Sequence, residues 1–199
     1  MSSTVPSTNL SQVTALLLTD GPQTMEMLSA VTSGFGLAKR LKARTIEEAF
    51  EFHRNQSIDL IILDCSTQNF DGVAITRRFR HEFTGVRAET PILAVAGHSS
   101  QLQIRRYRDA GASFVVAKPM APSILLQRIL WLGRDTRIMI HSPNYKGPDR
   151  RIQASGLPAG VEIGRRSTDL DETVSEVAGK NLDQSKIDDM IKPKRVNIL

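Results

Sequence analysis

Apolar residues in this chain gather into short unbroken runs, separated by stretches in which they recur every three or four positions. The runs are Val13-Thr14-Ala15-Leu16-Leu17-Leu18, Ile58-Asp59-Leu60-Ile61-Ile62-Leu63-Asp64, Pro91-Ile92-Leu93-Ala94-Val95-Ala96-Gly97 and Phe114-Val115-Val116-Ala117. Such runs fit strands buried on both faces of a parallel sheet. A shorter basic strand is expected around Ala38–Leu41, near a sheet edge. Between the runs, Met25, Leu28 and Val31 keep helical spacing up to Gly34-Phe35-Gly36. Thr45-Ile46-Glu47-Glu48 opens a second helix as a capping box, a Thr cap with Glu three residues on. A third helix is predicted over Val73–Phe83, with Arg77, Arg78 and Arg80 outward. A fourth runs from a Ser99 or Ser100 cap to Asp109, closed by Gly111. A fifth covers Ser123–Leu132 and contains the only Trp, Trp131. Five strands, each followed by a helix over a short connection, imply an α/β unit: a five-stranded parallel sheet covered on both faces.

The pattern also divides the chain. Residues 1–12 are Ser/Thr-rich and form a flexible N-terminus. The α/β unit occupies 13–134. From 135 to 181 Gly and Pro interrupt every potential element, aromatics end at Tyr145, and 141–181 reads as extended or disordered in isolation. Residues 182–191 form a short amphipathic helix.

Charge and composition narrow the partners. The formal charge of +5 at pH 7 favours anions such as nucleotides, nucleic acid or phosphorylated groups. It is unevenly placed: residues 134–166 carry seven Lys/Arg against three Asp/Glu, and residues 167–199 five against seven. The single cysteine, Cys65, excludes an internal disulfide and fits a reducing compartment. No apolar stretch approaches the ~18–20 residues that span a bilayer, and the N-terminus lacks a secretory pattern. A cytoplasmic protein without a membrane span is expected.

The candidate chemistry starts at Asp64, which ends the most apolar run. Ligands of open α/β sheets collect beyond the carboxyl ends of the strands, so this carboxylate stands where a functional one would; capping the next turn is the alternative. Asp20 follows the first strand, Asp64 the third. With Asp71-Gly72 and the Gly111-Ala112-Ser113…Lys118-Pro119 ending, these residues resemble the CheY-like receiver domains of two-component response regulators over roughly 12–133. The resemblance implies a flavodoxin-like fold with strand order 2-1-3-4-5. It implies that Asp64 is the phosphoacceptor, taking a phosphoryl group from a histidine kinase or phosphotransfer protein. Asp20, Asp64 and the main-chain carbonyl of Ser66 would hold Mg2+, Lys118 would contact the phosphoryl oxygens, and the Lys118-Pro119 bond would be cis. Haloacid-dehalogenase-like phosphatases need a second acid two residues after the nucleophile. Asp64-Cys65-Ser66 lacks it, and a signalling module rather than an enzyme is expected.

The chain departs from the receiver pattern at four places. Thr19 replaces the first of two adjacent acids, Ala96 the Thr or Ser that follows the phosphoryl group, Val115 the aromatic of the fifth strand, and Gln68 a Pro. A phosphoacceptor with weak Mg2+ binding and a weakened output switch is the resulting expectation.

The tail holds a second motif. Tyr145-Lys146-Gly147-Pro148-Asp149-Arg150-Arg151 and Ile163-Gly164-Arg165-Arg166-Ser167-Thr168-Asp169 read as two imperfect copies of one Gly-x-x-Arg-Arg idea. Arg166-x-x-Asp169 has the spacing of cyclic di-GMP inhibitory sites in diguanylate cyclases. The layout resembles CheY-like effectors that bind this dinucleotide through an Arg-rich tail. Tyr145, Arg150, Arg151, Arg165, Arg166 and Asp169 are the candidate nucleotide-binding residues, because Arg forks match phosphate and the guanine edge. The alternatives are general anion attraction and a solvated linker, as in a conventional phosphorelay regulator or phosphate shuttle with an inert tail. Residues 182–191 are similar to the peptide by which a flagellar motor switch protein docks on CheY-like receivers. Docking on this receiver, on another, or fraying as a terminal helix are all compatible with ten residues. Too few apolar residues remain for a helix-turn-helix, so DNA is not an expected partner.

Overall fold

The computed structural model describes residues 10–64, 70–97, 100–150 and 183–191. Its centre is a parallel sheet in the order β2-β1-β3-β4-β5, with β1 Thr14–Leu18, β2 Lys39–Ala43, β3 Leu60–Asp64, β4 Ile92–Ala96 and β5 Phe114–Ala117. Every residue of β1, β3 and β4 is buried, as expected where helices cover both faces of a parallel sheet. The helices are α1 Pro22–Gly34, α2 Ile46–Asn55, α3 Gly72–Glu82, α5 Gln101–Asp109 and α6 Pro122–Leu132. A single turn, α4 Val86–Glu89, leads into β4 and has no counterpart in the sequence reading. Two apolar clusters fill the two faces. One gathers Leu17, Ile62, Val95 and Val115 with α1, α5 and α6. The other gathers Leu16, Ile61, Leu63, Phe50 and Phe79 with α2 and α3.

The local signals act as their chemistry dictates. Thr45 accepts from the Glu48 N–H at 3.1 Å while Glu48 reaches back to the Thr45 N–H, completing the capping box. Asp71 caps α3 by accepting from the Val73 and Ala74 N–H groups at 3.0 Å each. Ser100 caps α5.

Arg80 corrects the sequence reading. Arg77 and Arg78 are exposed, but Arg80 is 1% exposed rather than outward. Its guanidinium donates to the carbonyls of Gly111 at 2.9 Å and of Ala88 and Thr90 at 2.7 Å each, and to Ser113 Oγ at 3.2 Å. Burial lowers its pKa to about 10, so it remains charged at neutral pH. The planar fork takes up main-chain carbonyls left over where α4 and the α5–β5 turn meet.

Residues 141–148 also differ from the extended or disordered chain expected over 141–181. Met139–Ser142 (β6) and Tyr145–Pro148 (β7) pair as an antiparallel hairpin around Pro143-Asn144. Tyr145 is buried and its hydroxyl donates to the Pro148 carbonyl at 2.6 Å. The hairpin lies on α3 and α4. The approach is close: a Cβ on Gly147 would fall 2.6 Å from Gly111 Cα, and Gly111 itself has φ +97°. Both positions demand glycine, the second for its backbone conformation as well. Arg137 fastens the connector by pairing with Asp135, donating to the Ser113 carbonyl at 2.7 Å and stacking on Trp131.

His53 carries a pH prediction. Its ring is buried among Phe79 and Phe83, with Nε2 2.9 Å from the Arg87 carbonyl. Burial, ahead of the Arg87 and Arg80 charges, pushes its pKa below the ordinary value, partly opposed by the hydrogen bond to the Arg87 carbonyl. A depressed folded-state pKa means the unfolded chain takes up the proton first. Stability should therefore be full above about pH 6.5 and fall as the pH drops through the folded-state value. Urea unfolding at pH 7.5 and pH 5.5 should show this loss, with a smaller difference in His53→Gln.

Candidate functional site

The parallel register brings the candidate site together at the carboxyl edge of the sheet. Leu18 pairs with Leu63, Asp64 with Val95 and Ala96 with Ala117. The residues that follow β1 therefore lie beside the end of β3, and Lys118, which follows β5, reaches it past the end of β4. Asp64 is 0% exposed. Lys118 Nζ lies 2.9 Å from Asp64 Oδ2, and the lysine side chain is 25% exposed. In a site this dry an ion pair is stronger than on the surface. The main chain aims Lys118: its N–H donates to the Ala96 carbonyl at 2.9 Å, and the Lys118-Pro119 peptide is cis, as the resemblance implied.

Thr19 faces the same carboxylate. Its hydroxyl donates to Asp64 Oδ2 at 3.4 Å and accepts from the Gly21 N–H at 3.3 Å. A second acid at this position would bring a carboxylate to that contact; the Thr brings a neutral donor. Asp20 is half-buried at the same sheet edge. Ser66 lies outside the described residues. Ala96 and Val115 are both buried, so a methyl and a branched aliphatic occupy the positions where receivers carry a hydroxyl and an aromatic.

The tail residues divide. The Arg150 guanidinium sits 4.0 Å over the Tyr145 ring and pairs with Asp109 of α5. Burial raises the Tyr145 pKa, partly opposed by the Arg150 and Arg80 charges. Both residues are held against the receiver. Arg151, Arg165, Arg166 and Asp169 lie outside the described residues.

Gln184–Ile191, here α7, forms within the expected 182–191 helix and packs on β5 and α5. Docking on this receiver was one of the alternatives left open by the sequence; the spacing was legible, the particular berth was not.

The model of the response regulator receiver domain matches residues 15–130, and the chain belongs to that family. It carries a receiver domain of two-component signalling. The transcriptional regulatory protein AruR of Pseudomonas aeruginosa is 29% identical over 143 residues, which cover 68% of this chain and 54% of AruR. The chain thus spans about half of that relative. The autoinducer 2 sensor kinase/phosphatase LuxQ of Vibrio parahaemolyticus is 31% identical over 78 residues, 39% of this chain and 9% of LuxQ. Among solved structures, the chemotaxis protein CheY4 of Vibrio cholerae superposes with a TM-score of 0.54 at 21% identity, over 60% of this chain and 98% of CheY4. The receiver domain of a DNA-binding response regulator from Colwellia psychrerythraea gives 0.56 at 22% identity, over 62% of this chain and all of that one. The fold and its strand order are those implied by the sequence. No helix among the described residues is long and apolar enough to cross a membrane.

Proposed function

We propose that this chain is a signalling receiver that accepts a phosphoryl group on Asp64 from a histidine kinase or phosphotransfer protein, and that its output switch is weak. The observation that carries the first part is the buried Asp64 carboxylate held 2.9 Å from Lys118 Nζ. A carboxylate oxygen of Asp64 attacks phosphorus, the donor's P–N bond breaks, and an acyl phosphate forms as the imidazole leaves with a proton. Lys118, already at the carboxylate, moves its charge onto the phosphoryl oxygens as they arrive.

Among the described residues no three acidic, His or Cys side chains form a metal cluster. Mg2+ commonly uses one or two carboxylates plus waters and phosphate, so Asp20 and Asp64 fit a weakly held ion. Such an ion would neutralise the incoming charge. Thr19 leaves the pair one acid short, which supports weak binding.

The weak switch rests on Ala96 and Val115. With no hydroxyl to follow the phosphoryl group and no ring to change place, phosphorylation has little to move across β4 and β5. Output then depends on contacts with a partner protein, and a flagellar motor switch is a candidate. Incubation with acetyl phosphate and Mg2+ should label the wild-type chain and leave Asp64→Asn unlabelled. Hydrogen exchange should change near residue 64 and little along α5. Absence of labelling would make the site a relic, and broad changes along α5 would remove the weak-switch reading.

Cyclic di-GMP is a second reading, favoured by Arg150. That side chain is held at the surface, 35% exposed, with one face on Tyr145 and Arg151 next in the chain. A guanine could stack on the outer face and phosphate could take the fork now paired with Asp109. Calorimetric titration should show binding that weakens at least about tenfold in Arg150→Ala/Arg151→Ala and in Arg165→Ala/Arg166→Ala. Equal, strongly salt-dependent binding of any polyanion would reduce the tail to a charged arm.

A further inference from the structure

The two edges of the sheet are managed differently. β2 carries Lys39, Arg40 and Lys42, charges that discourage further pairing. β5, Phe-Val-Val-Ala, carries none. An uncharged apolar edge strand exposes main-chain donors and acceptors that invite a partner. Here the partner is α7.

Gln184 docks as a strand would. Its side-chain amide accepts from the Ala117 N–H at 2.9 Å and donates to the Val115 carbonyl at 3.2 Å, the outward main-chain groups of β5. One turn on, Ile187 is fully buried in the cluster of β5 and α5, and Ile191, four residues later, is 5% exposed. Asp188 pairs with Arg128 of α6, which also lies 5.2 Å from the Phe114 ring centroid. The face formed by the β5 edge, α5 and α6 thus reads three features of a helix. These are an amide, two branched aliphatics spaced to share one helix face, and a carboxylate next to the first aliphatic.

We propose that α7 is an intramolecular occupant of this face and must leave before a partner protein that presents the same helical pattern can bind. An isolated helix of eight residues does not hold its shape in water. The released helix gives up its order and gains chain entropy that opposes docking, so an external helix with better anchors displaces it. While docked, α7 lowers the apparent affinity of any competitor by the fraction of time the face is open.

The test uses full-length protein and a fluorescent synthetic peptide of residues 179–195. Wild type is compared with two variants that release α7, Ile187→Asp/Ile191→Asp and the milder Gln184→Ala/Asp188→Ala, each shown by its melting transition to be folded. Anisotropy should show the peptide binding both variants at least about tenfold more tightly than wild type. A peptide carrying Asp188→Arg should bind the variants more weakly, and Arg128→Asp in the released chain should restore it. Equal affinity for wild type and released chains would overturn the occupancy. Binding to none of them would overturn the surface. Peptide exchange only at protein concentrations that produce dimers would make the occupant a second copy, contrary to the proposal.

Discussion

Arg80→Ala is expected to lower the unfolding free energy by about 3 kcal/mol and the melting temperature by roughly 6–12 °C, from typical costs of unpaired buried groups and the size scaling of melting. The reason lies in what the guanidinium satisfies. The carbonyls of residues 88, 90 and 111 converge on it, and Ser113 Oγ completes the set. Each buried carbonyl left without a partner costs on the order of 1–3 kcal/mol, while removing a desolvated charge returns part of that sum. The same truncation two residues earlier makes the contrast. Arg78 is 45% exposed and pairs with Glu82 along the helix surface, so Arg78→Ala should cost less than about 1 kcal/mol. Denaturant titration of the two variants measures both. Similar losses would mean that Arg80 is not the fastener the geometry describes.

Thr19→Asp should turn the site into a metal-dependent one. The Thr19 hydroxyl is 3.4 Å from Asp64 Oδ2, and a carboxylate there would face a buried carboxylate across the same gap. In chelator the variant should be less stable than wild type, by about 1–3 kcal/mol, since two like charges in a low-dielectric site repel. Mg2+ should reverse the order. At a hundred times its dissociation constant a ligand specific to the folded state stabilises by about 2.7 kcal/mol, enough to cover the repulsion. Thermal melts of both chains across a Mg2+ series read this directly, without phosphorylation. A variant whose melting temperature ignores Mg2+ would show that Asp20 and Asp64 do not form a cation site.

The sheet was legible because its strands are buried on both faces, which leaves unbroken apolar runs such as Leu60–Leu63. The β2 edge was legible for the opposite reason, its lysines. Arg80 was not: Arg77, Arg78 and Arg80 look alike in sequence, and what separates them is three carbonyls supplied from residues 88 to 111. The hairpin hid behind Pro143, Gly147 and Pro148. These residues break an element's interior, yet they suit a two-stranded ribbon whose turn and close contact fall on them. At the site, the charges of Asp64 and Lys118 were readable by resemblance to receivers, but that Thr19 points its hydroxyl at Asp64 needed the register of β1 against β3. The spacing of Ile187 and Ile191 announced a helix; only the uncharged β5 edge, 70 residues earlier in the chain, says where it lies.

The Arg150–Asp109 pair and the α7 berth together give residues 151–182 two fixed ends on one domain. Docking α7 ties both ends of this segment to the domain and releasing α7 would free one, at an entropic cost that grows only slowly with segment length. A ligand that binds this segment more tightly in one of the two forms shifts the docking of α7 by the same factor, and a partner at the β5 face shifts that ligand's affinity equally. With a ligand on the basic segment and a partner at the apolar edge, the two would be terminals of one equilibrium.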